Sequence, residues 1–477
     1  MSFSRIVFAI SLALATVAGF AHQNPTVVVV GAGFAGLTTA YRLQQKGMDV
    51  HVYEARNRVG GRVFSAKIGD RIFELGGQNL TDGGEAANIH RLMDEFGLES
   101  TGFQTKFGFF YFDNQTLIPG HLLQTQEFDP ETLKSKLAEI SMNSRNMRDV
   151  LDQLFQKEDP FYKSLSVRLA SFEGATIDKL SSLYTNTLYY MLLGGICSVH
   201  QTSDQEENNL HMVSIRGGNM LLLEKMAETL KERVHLNMPL VSVSKGQDGA
   251  YELLFKNGET VSADILVLTM PCSVYDDIGF EESLIPADRL ESIRKVQYGT
   301  NAKILVPFPE PLSKRITLIN DRIVGYFDEK CTLLTLYFTG DAGKFSEESI
   351  LDAYRQERPM LEFGFKELCP PLSTPMIAQD GSFVSYDGPV GHSWPNDPYV
   401  KGSYSYIAEG QETILTSMQE ENGEKVRSLF APIDGTLFFA GEHATILMDV
   451  PGTMEAACES GERTARMIQN IYEQKAK

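Results

Sequence analysis

The sequence predicts an α/β fold that opens with a parallel sheet. Thr26–Val30 is a continuous β-branched run, the pattern of a strand that is buried on both faces. A glycine-bearing turn and an apolar helical pattern follow it, and Asp49–Glu54 then alternates as a second strand. Strand, helix and strand in this order, joined by short connections, indicate parallel strands with helices packed against them.

Length and composition are those of a globular protein with more than one domain. At roughly 150 residues per domain, the 477 residues predict two or three structural units. Hydrophobic residues make up 43% and charged residues 22%, which excludes the disordered, collagen-like and disulfide-dense classes. Lys and Arg number 43 against 62 Asp and Glu, so the net charge is −19 and a nucleic-acid partner is not expected.

The first glycine cluster has the spacing of a dinucleotide-binding turn. Gly31 permits the tight turn, Gly33 lets the backbone approach a pyrophosphate, and Gly36 lets the helix pack closely on the strand. Glu54 ends the second strand about 20 residues further on, where a carboxylate can bind a ribose hydroxyl. The sequence therefore predicts a Rossmann-like site with contacts at Gly31, Gly33, Phe34, Ala35, Gly36 and Glu54.

A second glycine cluster favours FAD over NAD. The segment from Glu54 to Arg62 reads EARNRVGGR, so backbone freedom and a guanidinium follow the second strand, which suits a second contact to the phosphates. Further on, Gly76 and Gly77 form another place where backbone can lie against a flat ring. The contacts predicted here are Ala55, Arg56, Gly61, Arg62, Gly76 and Gly77. For Arg58 and Arg62, exposure at the surface is the alternative interpretation.

These motifs resemble those of the flavin amine oxidases, the group of monoamine and polyamine oxidases. The resemblance covers Val27–Arg62 and returns at Gly441-Glu442-His443, at Gly452-Thr-Met-Glu455 and at Gly461-Glu-Arg463. The N-terminal motif alone also occurs in carotenoid desaturases and protoporphyrinogen oxidases. Its combination with the C-terminal motifs and Lys303 is more specific.

The resemblance implies a glutathione-reductase-like FAD-binding domain that is interleaved with an α+β substrate-binding domain. The FAD-binding domain is expected at 25–85, 210–285 and 405–470, and the substrate domain at 86–209 and 286–404. The first of the two substrate segments is predicted to be mainly helical.

The resemblance also implies contacts to FAD from later parts of the chain. Glu442 is expected on the ribityl chain. A helix from about Thr453 would point its N-terminus at the pyrimidine carbonyls of the flavin, with Met454 offering its backbone N–H. Leu240 matches by position a residue whose backbone holds the adenine, although an ordinary apolar strand residue is an equal interpretation. The contacts implied here are Leu240, Gly441, Glu442, Thr453 and Met454.

Three residues are candidates for the catalytic site. From its apolar strand context alone, Lys303 is either a snorkelling edge residue or a buried functional amine. The resemblance implies the second, a lysine that holds a water beside flavin N5. It also implies that Trp394, the single tryptophan, borders the isoalloxazine and that Tyr404 forms one wall of an aromatic cage. His443 is expected to support the site rather than act as a base.

Two positions depart from the patterns of some family members. Ser403 stands where members with covalently attached flavin have a cysteine, so FAD is expected to be bound non-covalently. Thr453 stands where many monoamine oxidases carry a second cage tyrosine, and this departure weakens a prediction of monoamine specificity.

The implied reaction is the oxidation of a neutral amine by molecular oxygen. Hydride transfer to flavin N5 gives an imine, water releases an aldehyde with ammonia or a smaller amine, and oxygen yields hydrogen peroxide. An L-amino acid oxidase is one alternative; it needs a cation for the substrate carboxylate, and residues 78–98 lack the Met-Arg element of such enzymes. The others are a desaturase or porphyrinogen oxidase-like enzyme and a catalytically weak flavin-binding protein. The amine, the electron acceptor and the oligomeric state stay open.

The N-terminus predicts export. One positive charge precedes the apolar run Ile6–Ala21, and small residues follow where a signal peptidase would cleave, so residues 1–21 are interpreted as a signal peptide. The run is shorter than the about 20 residues of a membrane span, although an uncleaved anchor is the alternative. The mature chain is expected to be periplasmic or secreted. Five widely spaced cysteines predict neither a metal site nor a disulfide framework.

Overall fold

A computed structural model describes residues 25–80, 85–104, 109–124, 126–193, 211–312, 316–328, 330–364, 374–448 and 450–475. The predicted signal peptide lies outside these residues, as do Cys197 and Cys369. The other three cysteines, Cys272, Cys331 and Cys458, are free thiols.

The α-helices of the described residues are α1 (Phe34–Gln45), α2 (Ala87–Glu95), α3 (Gly120–Leu123), α4 (Pro130–Met142), α5 (Met147–Asp152), α6 (Pro160–Glu173), α7 (Thr185–Leu192), α8 (Met220–Leu230), α9 (Ala287–Arg294), α10 (Ile350–Gln356), α11 (Arg358–Gly364), α12 (Glu412–Thr416) and α13 (Met454–Lys475). Short 3-10 helices span Ser182–Tyr184, Lys231–Arg233, Cys272–Asp277, Gly340–Gly343, Trp394–Asn396, Ser428–Phe430 and Glu442–Ala444.

The strands are β1 (Thr26–Val30), β2 (Asp49–Tyr53), β3 (Ser65–Ile68), β4 (Arg71–Glu74), β5 (Ser100–Gln104), β6 (Phe109–Phe112), β7 (Leu117–Pro119), β8 (His211–Ile215), β9 (Val234–His235), β10 (Leu240–Lys245), β11 (Tyr251–Phe255), β12 (Thr260–Ala263), β13 (Ile265–Leu268), β14 (Gly279–Phe280), β15 (Gln297–Tyr298), β16 (Ala302–Pro307), β17 (Thr317–Ile319), β18 (Ile323–Phe327), β19 (Leu333–Phe338), β20 (Met376–Ile377), β21 (Ser385–Tyr386), β22 (Val390–Ser393), β23 (Ser405–Tyr406), β24 (Met418–Glu421), β25 (Glu424–Arg427) and β26 (Leu437–Phe439).

A parallel sheet at the N-terminus has the strand order β26-β13-β1-β2-β9. Its strand β1 is buried on both faces, as its unbroken apolar sequence predicts. One face packs against α1, α8 and α13, and the other against the antiparallel strands β10, β11 and β12. The predicted α/β fold class is therefore confirmed for this part of the chain.

A second large sheet has the strand order β20-β22-β16-β19-β18-β17-β6-β7. In β16 the side chains alternate. Ile304 and Val306 enter a core that α10 and α11 share, whereas Lys303 points to the opposite face. Register pairs Lys303 with Tyr337 on β19 and with His392 on β22. Residues that stand directly opposite each other share one face, so these three side chains form a row across the sheet.

The segment 86–209 is mainly helical in its described residues, as the sequence predicts. It contains α2 to α7, and the short strands β5, β6 and β7 also lie there. Strand β6 pairs with the distant β17, and β5 pairs with β8. These pairings link parts of the chain that are far apart in sequence.

No helix in the described part of the chain is long and apolar enough to span a membrane. Among the same residues, no group of three or more His, Cys, Asp or Glu side chains is arranged to hold a metal ion.

Candidate active site

A cavity of about 1360 Å³ lies between the two large sheets. It begins where β1, β2, β13 and β26 end, because the residues that follow each of these strands line it. Ligands of open α/β sheets bind at this edge, outside the carboxyl ends of the strands. The far wall comes from the eight-stranded sheet and from α6 and α7.

The glycine turn after β1 leaves room for a diphosphate. A Cβ atom on Gly36 would lie 2.0 Å from the carbonyl oxygen of Gly31, so α1 packs closely on β1 only because residue 36 is glycine. Gly33 and Gly61 face each other at the cavity, where a Cβ on Gly61 would lie 3.5 Å from the Cα of Gly33. Two adjoining glycine backbones form a cradle of the kind that a dinucleotide phosphate requires. Phe34 and Ala35, also predicted contacts, line the cavity at the start of α1.

Glu54 is held in position at one end of the cavity. Its carboxylate accepts N–H groups from Ala32 at 2.8 Å and from Arg56 at 2.9 Å. The backbone N–H of Met238 bonds to the carbonyl of Glu54, which brings the following Leu240 to the same end of the cavity. The predicted ribose and adenine positions, including Ala55 beside Glu54, therefore adjoin each other.

Arg62 and Glu442, predicted from opposite ends of the sequence, form an ion pair. Nη1 of Arg62 lies 2.6 Å from Oε1 of Glu442 and 3.0 Å from the carbonyl oxygen of Ser403. Burial opposes ionisation of Glu442, but Arg62, His443 and the Ser405 hydroxyl together hold the pKa of its carboxyl below the usual value. The pair is therefore charged, and Gly441 lines the cavity beside it.

Two further arginines of the EARNRVGGR segment have other partners. The guanidinium of Arg56 binds Asp380 and Asp397, so Arg56 meets the cavity edge with its charge already paired. Arg58 is 1% exposed and stacks at 4.0 Å on the ring of Phe64, and burial followed by repulsion from Arg56 lowers its pKa to about 10. The alternative interpretation of Arg58 and Arg62 as surface arginines is wrong.

Lys303 is a buried amine at the edge of the cavity. Its side chain is on a central strand, and the residue is 5% exposed, so the snorkelling interpretation is wrong. Nζ donates to the carbonyl of Gly76 at 2.8 Å, to the carbonyl of Glu74 at 3.1 Å and to Oε1 of Gln78 at 3.1 Å. The amine therefore lies against the Gly76–Gly77 turn that the sequence predicts beside a flat ring.

Aromatic side chains form the wall next to Lys303. The indole Nε1 of Trp394 donates to the carbonyl of Leu75 at 3.3 Å. The hydroxyl of Tyr404 donates to the carbonyls of Ser171 and Phe172, each at 3.0 Å. The Tyr404 ring is fixed between Gly174 and Gly452, since a Cβ on either glycine would lie 2.9 Å from it.

Two tyrosines that sequence reasoning missed complete this wall. Tyr337 stands opposite Lys303 on β19, and its hydroxyl lies 3.4 Å from that of Tyr404. Tyr326 donates to Gln78, the residue that also accepts from Lys303. Both tyrosines lie in ordinary alternating strands, so only sheet register could have identified them.

Thr453 caps the long C-terminal helix. Its Oγ1 accepts the N–H of Ala456 at 3.1 Å and donates to the carbonyl of Val450 at 2.8 Å. Met454 packs on Gly77, where a Cβ would lie 2.9 Å from the methionine sulfur. The N-terminus of α13 thus opens onto the cavity beside the Gly76–Gly77 turn, and Ser403 lines the same region.

Two charged residues of α6 also line the cavity, and no sequence motif announces them. Glu173 accepts a hydrogen bond from the Thr187 hydroxyl, and burial raises the pKa of its carboxyl to about 7. The guanidinium of Arg168 lies 5.1 Å from the ring centre of Phe109. The end of the cavity beside Tyr404 is therefore not wholly apolar.

The family model that matches this chain describes a flavin-containing oxidoreductase, and two of the relatives that match are oxidases by name. The family described as flavin containing amine oxidoreductase matches residues 34–469. Amine oxidase [flavin-containing] B of Bos taurus is 26% identical over 476 residues, covering 93% of this chain and 85% of that protein. L-amino-acid oxidase of Mus musculus is 24% identical over 481 residues, covering 94% and 71%.

The fold agrees as well. The solved structure of cyclohexylamine oxidase from Brevibacterium oxydans matches with a TM-score of 0.68 at 19% identity, covering 94% of this chain and 100% of that one. Because the family match spans most of the chain and includes most residues of the cavity described above, this protein belongs to the flavin-containing amine oxidases.

Proposed function

We propose that the protein oxidises a small amine with non-covalently bound FAD and molecular oxygen. The observation that carries the proposal is the buried Nζ of Lys303 on the Gly76 carbonyl, between the glycine turn and the tyrosine wall. Bound flavin would accept a hydride from the α-carbon of the amine and pass two electrons to oxygen, giving hydrogen peroxide. Water would hydrolyse the resulting imine to an aldehyde with ammonia or a smaller amine.

The cavity suits FAD at full length. Gly33 and Gly61 would meet the diphosphate, Glu54 the ribose, and Leu240 the adenine. At the flavin end, Glu442 would bind the ribityl chain, and the free N–H groups at the start of α13 would face the pyrimidine carbonyls. Ser403 carries no thiol for a covalent link, which supports non-covalent binding.

The proposed domain division follows the two sheets. Every strand of the parallel sheet lies in 25–85, 210–285 or 405–470, and these segments would form a Rossmann-like, glutathione-reductase-like FAD-binding domain. Every strand of the eight-stranded sheet lies in 86–209 or 286–404, the proposed substrate domain.

Replacement of Glu442 by Gln is expected to weaken FAD binding. The change removes the charge that holds Arg62, and a hydrogen bond to a charged group contributes about 1.5–3 kcal/mol, which corresponds to an about 10- to 100-fold higher Kd for FAD. Titration of the apoprotein with FAD, followed by quenching of flavin fluorescence, measures this Kd. Glu424→Gln, which breaks the exposed pair with Arg466, is the control and should leave the Kd unchanged. Equal affinities for all three proteins would contradict the role of Glu442.

Replacement of Lys303 by Met is expected to slow reoxidation of the flavin by about 10²-fold, because a fixed cation stabilises the charge that develops on oxygen. Reduction of the flavin by an amine under anaerobic conditions should change much less. Stopped-flow mixing of the reduced protein with oxygenated buffer measures the step. Lys295→Met, at an exposed lysine paired with Glu291, is the control. An unchanged rate of flavin reoxidation in Lys303→Met would show that Lys303 does not assist the reaction with oxygen.

The carboxyl of Glu173 suits the recognition of a cationic amine. Its raised pKa of about 7 means that it is neutral in mildly acidic solution and charged above pH 7. A charged carboxylate in a cavity with little water attracts an ammonium group strongly and would draw the amine toward Tyr404.

Glu173→Gln is therefore expected to change the pH profile. In the unchanged protein kcat/KM should rise as the pH passes through about 7, where Glu173 ionises. In the Gln variant kcat/KM should no longer rise with pH near 7. At pH 8 its kcat/KM should be about tenfold lower than that of the unchanged protein because its KM is higher, and at pH 6 the two values should be similar. Initial rates of peroxide release across this pH range provide the measurement, with Glu139→Gln on the exposed face of α4 as the control. A Gln variant whose kcat/KM still rises near pH 7 would exclude Glu173 as the source of this rise.

A second candidate function, L-amino acid oxidation, gains support from Arg168. Residues 78–98 lack the Met-Arg element of such enzymes, but Arg168 lines the substrate end of the cavity and could pair with a carboxylate. The similarity to mouse L-amino-acid oxidase is in the same range as that to bovine amine oxidase B.

A panel of amines and L-amino acids separates the two functions. We expect amines to bleach the flavin absorbance anaerobically and amino acids to do so at least tenfold more slowly. In Arg168→Met, rates with amines should stay within about threefold, whereas any rate with amino acids should fall about 10²-fold, the loss expected when a charged pair with substrate is removed. Faster bleaching by amino acids than by amines would favour the second function.

The excess of acidic residues supports small-molecule rather than nucleic-acid partners.

The apolar run Ile6–Ala21 supports the proposal that the mature protein is exported. N-terminal sequencing of the protein recovered outside the cytoplasm would test cleavage near Ala21.

A further inference from the structure

A buried cluster of ionisable groups lies behind Trp394, and only its arginine meets the edge of the large cavity. It consists of Arg56, Asp397 and His392, which are 4%, 4% and 8% exposed. One oxygen of Asp397 accepts from Arg56, and the other lies 3.0 Å from Nε2 of His392. Trp394 lines the large cavity, whereas His392 does not.

The cluster is charged at its centre. Burial alone would raise the pKa of Asp397, but His392 and Arg56 together hold it at about 2. Arg56 and Arg58 together balance the carboxylates of Asp397 and Asp380, so charge balance does not explain the histidine. A buried polar ring that adds a desolvation cost is expected to have a positioning role.

The contacts of His392 indicate what it positions. Its ring centre lies 4.2 Å from the Trp394 ring at an interplanar angle of 66°. On another side it meets Phe64 edge-on, at 5.5 Å. A histidine whose Nε2 is fixed by a carboxylate has a set ring plane, and an indole that packs edge-on against that ring has little freedom to rotate.

Apart from the contact with His392, the indole is held by apolar packing, since Trp394 is a buried member of the core that also contains Phe64 and Val400. Its one polar bond, from Nε1 to the carbonyl of Leu75, is 3.3 Å long. On the far side of the cluster, a second cavity of about 290 Å³ is lined by Arg56, Asp380, His392 and Asp397. Because His392 borders this cavity, its imidazole would have room to turn away if Asp397 did not hold it.

The cluster also connects to the proposed FAD site. The backbone N–H of Arg56 binds the carboxylate of Glu54, while its guanidinium binds Asp397. A continuous set of hydrogen bonds and ring contacts thus leads from the proposed ribose contact to the wall beside Gly76.

We propose that Arg56, Asp397 and His392 form a positioning relay that fixes the indole of Trp394 in the cavity wall. His392 and Asp397 are positioning residues in this relay, because they do not line the large cavity themselves and act on it through Trp394 and Arg56. The relay goes beyond the proposed function and does not depend on which substrate the protein oxidises.

Trp394 is the single tryptophan of the chain, so its optical signals report on the relay directly. Three variants of the full-length protein are compared with the unchanged protein, with and without FAD. Asp397→Asn removes the charge that holds His392, and His392→Gln keeps a donor for Asp397 but has no ring. Asp380→Asn is the matched control: it removes the other carboxylate partner of Arg56 and leaves the Asp397–His392 bond intact.

We expect Asp397→Asn and His392→Gln to lose at least half of the tryptophan bands in near-UV circular dichroism and to lower the fluorescence anisotropy of Trp394. Asp380→Asn should change neither signal. Far-UV circular dichroism identifies a variant that fails to fold. Because His392→Gln removes no buried charge, this variant tests the relay by itself if Asp397→Asn is unfolded. Unchanged signals in folded His392→Gln, or equal losses in Asp380→Asn, would overturn the relay.

The apoprotein measurements separate this proposal from the proposed function. A protein with the expected tryptophan changes but no amine-dependent peroxide would retain the relay and lose the oxidase proposal. With FAD bound, the two relay variants should also raise the Kd for FAD about threefold or more, a change that Asp380→Asn should not produce.

Discussion

The three hydrogen bonds of the Lys303 ammonium join the two halves of this molecule. The lysine belongs to β16 of the eight-stranded sheet, and its acceptors belong to β4 and the turn that follows it. A buried ammonium without acceptors is strongly disfavoured, so the position of the glycine turn and that of β16 depend on each other. The cavity between the two sheets is defined by this contact, because the turn forms one side of it and the tyrosine wall the other.

Other buried charged groups near the cavity also find their partners in distant parts of the sequence. Arg62 and Glu442 are 380 positions apart, and Arg56 and Asp397 are 341 apart, yet each pair meets beside the cavity. Breaking such a pair leaves one charge buried alone, which costs about 3–5 kcal/mol. These pairs therefore make the arrangement of distant segments beside the cavity specific.

The parts of the site that the sequence predicts are those whose chemistry is local. The glycine turn could be found because Gly31, Gly33 and Gly36 act within six residues, and the close contact of Gly36 with Gly31 bears out the role of that spacing. The burial of Lys303 could not be decided from its strand, since it depends on two neighbouring strands and on the turn at Gly76. Tyr337 and Glu173 gave no signal at all, because only register and helix packing bring them to the cavity.

The pairings of the strands in the mainly helical segment 86–209 could not be predicted for a related reason. Strands β5 and β6 find their partners about 110 and 208 positions away, at β8 and β17, and no local pattern encodes such partners. The partners of the arginines in the EARNRVGGR segment could not be predicted for the same reason, because those partners lie far away in the sequence. Their composition suggests solvent or phosphate, but Arg56 and Arg58 both meet Asp380, a residue more than 300 positions later.

Thr453 shows how a single departure from a family pattern can be accommodated. Its hydroxyl caps α13, and an N-cap threonine contributes about 0.5–2 kcal/mol to helix stability compared with a residue that cannot cap. A tyrosine at this position would lose the cap at the helix end that faces the proposed flavin. The aromatic wall is instead built around Tyr404, which packs against Gly452 next to Thr453 and adjoins Tyr337. Thr453 lines the cavity, so this part of the lining carries a capping hydroxyl where a second tyrosine ring would otherwise stand.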